Sequence, residues 1–379
     1  MKLALVCTEK LPVPPIAGGA VQLYIDGILP YLSKKHEITV YSISYPGLPN
    51  EETVDKVKFI RVPGRTETMY LESLKSALDS SFDLIHIFNR PKSVLSLSEQ
   101  LPGVSFSLSL HNEMFHPEKI PYNDAVRCVE RVEFINTVSR FIADGVKYRI
   151  PQAEEKLRVV YSGVDLQKHK TNWSQEGMQN RLRLKKQLNL DCSNIVLYVG
   201  RLSIKKGVHV LLNAMKTVME KSPDTALVIV GSKWYGKNET DDYGISLQTL
   251  SQSLSGSIAF TGFIPPSKIP DYFNLGDVFV CASQWNEPLA RVHYEAMASG
   301  LPIITTNRGG NAEVIESLGN GIVIDDYKDP EVMADKISYL LDNPAEAELM
   351  GRRGRKLAME IFSWERVARE VIKIPVASV

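Results

Sequence analysis

Two carboxylates separated by seven residues, in Glu287-Pro-Leu-Ala-Arg-Val-His-Tyr-Glu295, are the groups in this chain whose spacing most directly suggests chemistry. Pro288 suits a first helical position, where its missing N–H would have no helical partner. Val292, Ala296 and Met297 then give an apolar face at helical spacing, and Ser299-Gly300 supplies a stop. The pattern predicts a helix over 288–298, with Glu287 in the entering loop and Glu295 two turns in. Backbone N–H groups at such a helix start form a ready anion site. A helix start flanked by two acids can hold a phosphate on its amides and sugar hydroxyls on its carboxylates, which suits a sugar nucleotide.

Other groups fit the same chemistry. Gly200-Arg201-Leu-Ser-Ile-Lys-Lys206-Gly207 follows an apolar run at 195–199, so Arg201 and Lys206 fall where a ligand lies in an α/β sheet. Arg offers a planar fork and Lys a point charge, together suited to a diphosphate; Lys205 reads as solvent-facing. The loop through Gly18-Gly19 follows the first strand-like run and opens a helix. It is either a turn beneath a phosphate or an ordinary strand–helix turn. His111 ends another strand-like run, in Ser109-Leu-His-Asn112. It is either structural or a partner for a sugar hydroxyl through a neutral imidazole. His293, between the two acids, reads as a packing residue. Thr306-Asn-Arg-Gly309-Gly310-Asn311-Ala-Glu313 also follows a strand, with Asn311 expected as a helix N-cap. Its glycines make a turn or let the backbone approach a sugar. Gly231-Ser-Lys-Trp-Tyr-Gly236-Lys237-Asn238 nearly spells a P-loop, but Asn238 replaces the Mg²⁺-binding hydroxyl and Glu239, Asp241 and Asp242 would repel phosphate. No G-x-G-x-x-G fingerprint of dinucleotide binding occurs.

The elements that must position these groups alternate along the whole chain. Strand-like runs fall at 3–7, 38–43, 57–62, 83–88, 104–110 and 134–138, then at 195–199, 226–230, 258–261, 278–281, 302–305 and 321–324. Helical patterns lie between them, at 20–33, 140–148, 208–220, 247–254, 288–298, 330–341 and 345–361. Such alternation predicts α/β architecture with parallel sheets covered on both faces. A turn at Gly163-Val-Asp165 and a polar, basic stretch over 167–186 place a domain boundary near Asp165. With two doubly wound units, ligand binding is expected in the crevice between them.

The 379 residues exceed one typical core, in keeping with two domains. Lys+Arg and Asp+Glu balance at 44 each, so no global field favours nucleic acid or an anionic membrane, and any anion site must be local. The apolar run after Met1 is too short for a signal peptide, and no stretch approaches the roughly 20 apolar residues of a membrane span. The four cysteines are scattered without metal or redox spacing, as expected of reduced cytoplasmic thiols.

Taken together, the pieces resemble the family-4 retaining glycosyltransferases, built on the two-Rossmann-domain GT-B fold. The matching residues are Gly18-Gly19, Gly163-Val-Asp165, Gly200-Arg201 through Lys206-Gly207, and Glu287 to Glu295. They continue through Ala296-Met-Ala-Ser-Gly-Leu-Pro302, Gly309-Gly310-Asn-Ala-Glu313 and Phe362-Ser-Trp-Glu365. The wording over 287–311 and the start Thr8-Glu-Lys-Leu-Pro12 are also similar to spore-coat-associated members from endospore-forming bacteria. The chain departs from the family pattern at Ser162, where Asn is common, and at Leu289-Ala290, where Phe-Gly is common.

The resemblance implies two Rossmann-like domains facing a deep cleft. Residues 1–165 would form the acceptor side, with the helix over about 362–379 crossing back onto it, and 166–361 the donor side. It implies transfer of a hexose-type sugar from a nucleotide-diphospho-sugar, UDP-linked, to an acceptor (polysaccharide, protein or small molecule) that the sequence does not identify. No cofactor or metal is expected. Arg201 and Lys206 would hold the diphosphate, together with Gly18, Gly19 and the amides of Leu289, Ala290 and Arg291. Glu287 would contact the sugar's hydroxyls and Glu295 the ribose. His111 would lie at the reacting sugar through its carbonyl or its ring. The competing reading is a GT-B-shaped coat or scaffold protein with little turnover, in a spore coat or other peripheral assembly.

Overall fold

The computed structural model describes residues 1–233, 241–315 and 318–373. It divides into two compact units, one of residues 1–163 and the chain from Trp364 onward, the other of residues 164–363.

The first unit runs β1 (Lys2–Val6), α1 (Ala20–Leu32), β2 (Glu37–Ile43), β3 (Glu51–Val54), β4 (Val57–Val62), α2 (Glu67–Ala77) and β5 (Leu84–Phe88). It continues with α3 (Pro91–Gln100), β6 (Ser105–Leu110), α4 (Tyr122–Arg131), β7 (Ile135–Thr137), α5 (Arg140–Arg149) and β8 (Leu157–Val159). The sheet order is β3-β4-β2-β1-β5-β6-β7-β8. Winding reverses between β1 and β5, which is where such sheets take ligands. The pairings are parallel except β3 with β4, which form an antiparallel hairpin. The two residues linking them, Asp55 and Lys56, both have positive φ, as a tight hairpin turn of the primed type requires. That edge strand escapes the sequence reading because Glu51-Glu-Thr-Val54 is polar and mostly exposed.

The second unit runs α6 (Gln175–Gln187), β9 (Asn194–Val199), α7 (Val208–Lys221), β10 (Thr225–Val230), α8 (Asp242–Ser251), β11 (Ile258–Phe260), α9 (Ile269–Phe273) and β12 (Val278–Cys281). Then come α10 (Val292–Ser299), β13 (Ile303–Thr306), β14 (Gly321–Ile324), α11 (Pro330–Asp342) and α12 (Pro344–Glu360). The sheet order is β11-β10-β9-β12-β13-β14, all parallel, with its reversal between β9 and β12. The central strands are apolar on both faces, as sheets covered by helices on both sides require; every residue of β5, β10 and β12 is buried.

Several expectations need correction. The stretch over 167–186 is not a plain linker. It contains α6, capped by the Ser174 hydroxyl on the Gly177 N–H, and α6 packs on α9. Helix α8 begins five residues before the expected 247, because the Asp241 carboxylate caps it through the Gly244 N–H. Helices α2, α3 and α4 were not singled out by the apolar periodicity. The P-loop look-alike falls largely outside the described residues, as do the last six residues of the expected 362–379 helix.

The chain returns to the first unit as α13 (Trp364–Val371), which packs on α1. Gly27 of α1 lies under the Trp364 ring; a Cβ there would stand 2.3 Å from it. Gly163 meets the same ring, with a Cβ at 2.6 Å. The four cysteines are buried and unpaired by disulfides. Among the described residues no helix is long and apolar enough to cross a membrane.

Two core histidines make the fold acid-sensitive. His86 on β5 bonds Ser107 and Ser109 of β6 through its two ring nitrogens, each at 2.7 Å. His169 bonds the Ser299 hydroxyl at 3.1 Å. Burial lowers both from 6.5 to about 3. Below pH 6.5 the unfolded chain therefore binds protons that the folded chain refuses, so stability rises with pH across this range. We expect about 2 kcal/mol lost per histidine between pH 7 and pH 5. Denaturant midpoints measured at pH 7, 6 and 5 test this; a flat series would contradict it.

Candidate functional site

In the second unit the two loops that leave the sheet at its reversal meet. One follows β9 and carries Arg201 and Lys206; the other follows β12 and runs Ala282-Ser-Gln-Trp-Asn-Glu287. Their docking is a backbone event. The Gln284 N–H donates to the Lys205 carbonyl at 2.8 Å. Gly207, at φ 72°, lies so close that a Cβ would stand 1.9 Å from the Ala282 carbonyl. Only glycine fits there, because space and φ both exclude a side chain.

Glu287 sits at the centre of this contact and is 4% exposed. The Lys206 ammonium donates to its Oε1. The Trp285 indole N–H at 2.7 Å and the Ser283 hydroxyl at 3.0 Å donate to the same oxygen. Among the described residues no donor reaches Oε2. Burial by itself would push this carboxyl up. The Lys206 charge and the three hydrogen bonds outweigh it and hold the group below its ordinary 4.5. The buried carboxylate is therefore ionised, with one oxygen saturated and the other available. Lys205 is exposed as expected, with its ammonium 4.9 Å from the centre of the Trp285 ring.

A third loop, after β13, closes on Glu287 from its backbone side. Glu287 bridges Gly309 as a short parallel pair, and the Gly310 N–H donates to the Glu287 carbonyl at 2.8 Å. Gly309 has φ 63°, and a Cβ there would stand 2.0 Å from that carbonyl. The pair of glycines is thus required first by contact with Glu287. Asn311 does not cap the following 3-10 turn, as the sequence had suggested; Gly310 does. The Asn311 side chain is fully buried, and its Oδ1 accepts the Ala290 N–H at 3.1 Å.

The helix predicted from Pro288 begins at Val292. Residues 287–290 form an irregular loop tied to Gly309, Gly310 and Asn311, and those ties stand in place of helical pairing; Arg291, with helical φ and ψ, is the N-cap. Glu295 consequently lies in the first turn of α10 rather than two turns in, and pairs with Arg291 at 3.5 Å. Burial raises the Glu295 carboxyl, and Arg291 offsets this only in part. Leu289 and Ala290 are buried, and the Ala290 amide is engaged by Asn311. His293 is a packing residue. Its Nδ1–H donates to the Ala290 carbonyl, leaving Nε2 to accept from the Thr305 hydroxyl, each at 2.9 Å. Burial lowers it to about 4, so it stays neutral.

In the first unit, Gly18 and Gly19 precede α1 with φ of 91° and 102°, and no side chain caps that helix. His111 follows β6. Its backbone N–H donates to Asn89 Oδ1 at 2.7 Å, and its ring stands edge-on to Tyr24 of α1, 4.7 Å between centroids. The structure thus joins Glu287 with Lys206 and pairs Arg291 with Glu295. It places His111 against the helix that Gly18-Gly19 begins. Arg201 lies half-exposed two residues beyond β9. Ser283 and Trp285 have no place in the sequence motifs, and Asn311 has one only as a cap. The only signal was that all three follow a strand at the ligand-binding end of the sheet.

Comparison with known proteins agrees with this architecture. Residues 18–168 match the model for "Glycosyltransferase Family 4" and residues 180–357 that for "Glycosyl transferases group 1". Spore coat protein SA of Bacillus subtilis is 45% identical over 375 residues, covering 99% of each chain. The putative glycosyltransferase YtcC of the same organism is 42% identical, over 98% of this chain and 91% of that one. Among solved structures, Anabaena HepE in complex with UDP superposes with a TM-score of 0.76 at 20% identity, covering 98% of both chains. Sucrose-phosphate synthase from Thermosynechococcus elongatus gives 0.78 at 19% identity, over 98% of this chain and 97% of that one. These likenesses show the two-domain GT-B fold.

Lys206→Met would leave the Glu287 carboxylate buried without its counter-charge. We expect a loss of about 3 kcal/mol at pH 7, the usual result of removing one partner of a buried pair. The pH dependence reverses as well. In the native protein the depressed Glu287 carboxyl adds stability above about 4.5, lost as pH falls through its folded value. In the variant that carboxyl is raised, so acidification should restore stability. Melting temperatures of Lys206→Met and Lys206→Met/Glu287→Gln across pH 4.5–8 test this. Equal stabilities at pH 7 would refute it.

Proposed function

The chain belongs to the family-4 glycosyltransferases, and from that premise we propose that it is a retaining, metal-independent enzyme that moves a hexose-type sugar from a UDP-linked donor to an acceptor. The observation that carries this reading is the state of Glu287: buried, ionised, saturated on Oε1 and open on Oε2. A fixed acceptor of this kind, at the sheet's reversal, suits a sugar hydroxyl. Lys206 keeps two ammonium hydrogens beyond the one given to Glu287, and these with the Arg201 fork suit a diphosphate. Glu295 is assigned to the ribose, and Gly18-Gly19 with the amides of Leu289 and Arg291 to the diphosphate; the Ala290 amide, expected there too, is engaged by Asn311. His111 is assigned to the reacting sugar, through its carbonyl or ring. HepE, solved in complexes with UDP and with UDP-glucose, shares the fold and makes UDP the first nucleotide to try.

In this mechanism the bond from the anomeric carbon to the leaving phosphate breaks while the acceptor oxygen bonds on the same face. The acceptor's proton passes to the departing phosphate oxygen. The residues supply preorganised charge: Arg201 and Lys206 face the growing negative charge, and Glu287 holds the ring as its anomeric carbon becomes cationic. No side-chain nucleophile is required.

A second reading has one specific observation behind it. A relative 45% identical over nearly the whole chain is called a spore coat protein. A coat or scaffold protein with little turnover would keep the fold and need not keep the charge arrangement at Glu287.

A panel of UDP-, GDP- and ADP-sugars, scored by thermal shift and then by slow donor hydrolysis, separates the two. Stabilisation with hydrolysis supports the enzyme, and stabilisation without turnover towards any acceptor supports the scaffold. No stabilisation by any nucleotide sugar sinks the donor reading. Glu287→Ala should cut transfer by about 10²–10³ while nucleotide affinity survives. Lost nucleotide affinity with normal turnover at saturation would contradict the assigned role.

A further inference from the structure

We propose that Asn311 is a ligand-binding residue whose side-chain amide donates hydrogen bonds to the diphosphate of the nucleotide donor. The assignment rests on the donor reading above and gives a ligand role to a residue that the sequence suggests only as a helix cap.

The Asn311 side-chain amide has a defined direction. Asn311 is fully buried. The Ala290 backbone N–H lies 3.1 Å from Oδ1 and can only donate, so the oxygen faces Ala290 and the NH₂ faces the other way. That nitrogen carries two hydrogens, is shielded from solvent and meets no acceptor among the described residues. A buried donor left unmade is costly, so its retention needs a reason.

Its neighbours supply one. Asn311 directly follows Gly310, whose N–H is bound to the Glu287 carbonyl. Asn311 holds Ala290, at the centre of the loop between Glu287 and α10. The Ala290 amide was one of three expected to face the anion, and Asn311 has taken it. In exchange it offers two hydrogens of its own. The bond accepted at Oδ1 polarises the amide and strengthens Nδ2–H as a donor. A paired donor with no acceptor beside it fits a group that only accepts, and a phosphate oxygen at this pH is such a group. A sugar hydroxyl would bring a hydrogen of its own.

The test uses Asn311→Asp, which keeps an oxygen for Ala290 and replaces both donors with an acceptor, and Asn311→Ser, which loses one donor and reach. Calorimetric affinities for UDP and UMP are measured on the full chain, with the GDP/GMP and ADP/AMP pairs alongside. The reported quantity is the preference for diphosphate over monophosphate. A variant that is partly unfolded weakens both ligands by the same factor, so this ratio survives a loss of fold. We expect the preference to fall at least about tenfold in Asn311→Asp and by less in Asn311→Ser, the size of a lost charge-assisted hydrogen bond. Where Asn311→Asp cannot be purified, the fall in Asn311→Ser decides. An unchanged preference overturns the proposal and leaves the NH₂ to a bridging water. An unchanged preference with weaker binding of the nucleotide sugar alone also overturns it, assigning Asn311 to the sugar. If the unsubstituted protein binds none of the diphosphates, the donor reading itself has failed and this assignment falls with it.

Discussion

The second unit is organised around the cost of burying the Glu287 carboxylate. A carboxylate taken out of water loses several kcal/mol of hydration and persists only if donors replace that water. Here the replacements come from separate stretches of chain: Lys206 after β9, and Ser283 and Trp285 after β12. The backbone of Glu287 is held by a third stretch, Gly309 and Gly310 after β13. Moving any of these loops would strip a partner from the charge. The loops are therefore held by the same interactions that keep the carboxylate ionised, and the geometry around it is set before any ligand arrives.

The glycines follow from that constraint. Gly207 and Gly309 each press a backbone against a carbonyl, of Ala282 and Glu287 respectively, at distances no Cβ allows, and each has positive φ. Gly231, at φ 140°, does the same against Gly200 where β10 leaves the sheet. In sequence, glycines after strands suggest phosphate loops. In the structure their immediate role is to let neighbouring loops dock at the end of the sheet. The first glycine of the P-loop look-alike has this packing reason, with no need of a phosphate.

The alternation of strands and helices was legible because central parallel strands are apolar on both faces and stand out as short unbroken runs. The edge strand β3 and helices α2 to α4 and α6 were not, because polar faces dilute the periodicity. The Glu287–Lys206 pair joins two groups that stand out by residue type and by their place after strands. The start of α10 does not stand out. Pro288 and the spacing of Val292, Ala296 and Met297 favour a helix from 288, but the ties from residues 287 and 290 to the β13 loop keep 287–290 out of the helix, which is capped at Arg291 and starts at Val292. This is tertiary structure overriding local propensity. Asn311 was misread for the same reason. An asparagine near a turn suggests a cap, and its actual partner is 21 residues away in the chain.

The first unit uses a similar device to a different end, and the contrast shows what makes Glu287 a site. Glu9 follows β1 and Arg90 follows β5, so this pair too spans the reversal of its sheet. Arg90 grips Glu9 with two hydrogen bonds, Nε to Oε2 at 2.8 Å and a terminal nitrogen to Oε1 at 2.6 Å. Burial pushes the Glu9 carboxyl up, and Arg90 more than offsets it. Both acids are thus buried, ionised and tied across two strand ends. The planar guanidinium, however, occupies both oxygens of Glu9, which closes the pair and makes it a brace. Lysine is a point charge and, with Trp285 and Ser283, is spent on one oxygen of Glu287. The choice of lysine over arginine leaves the second oxygen without a donor among the described residues, and that difference separates an open acceptor from a closed brace.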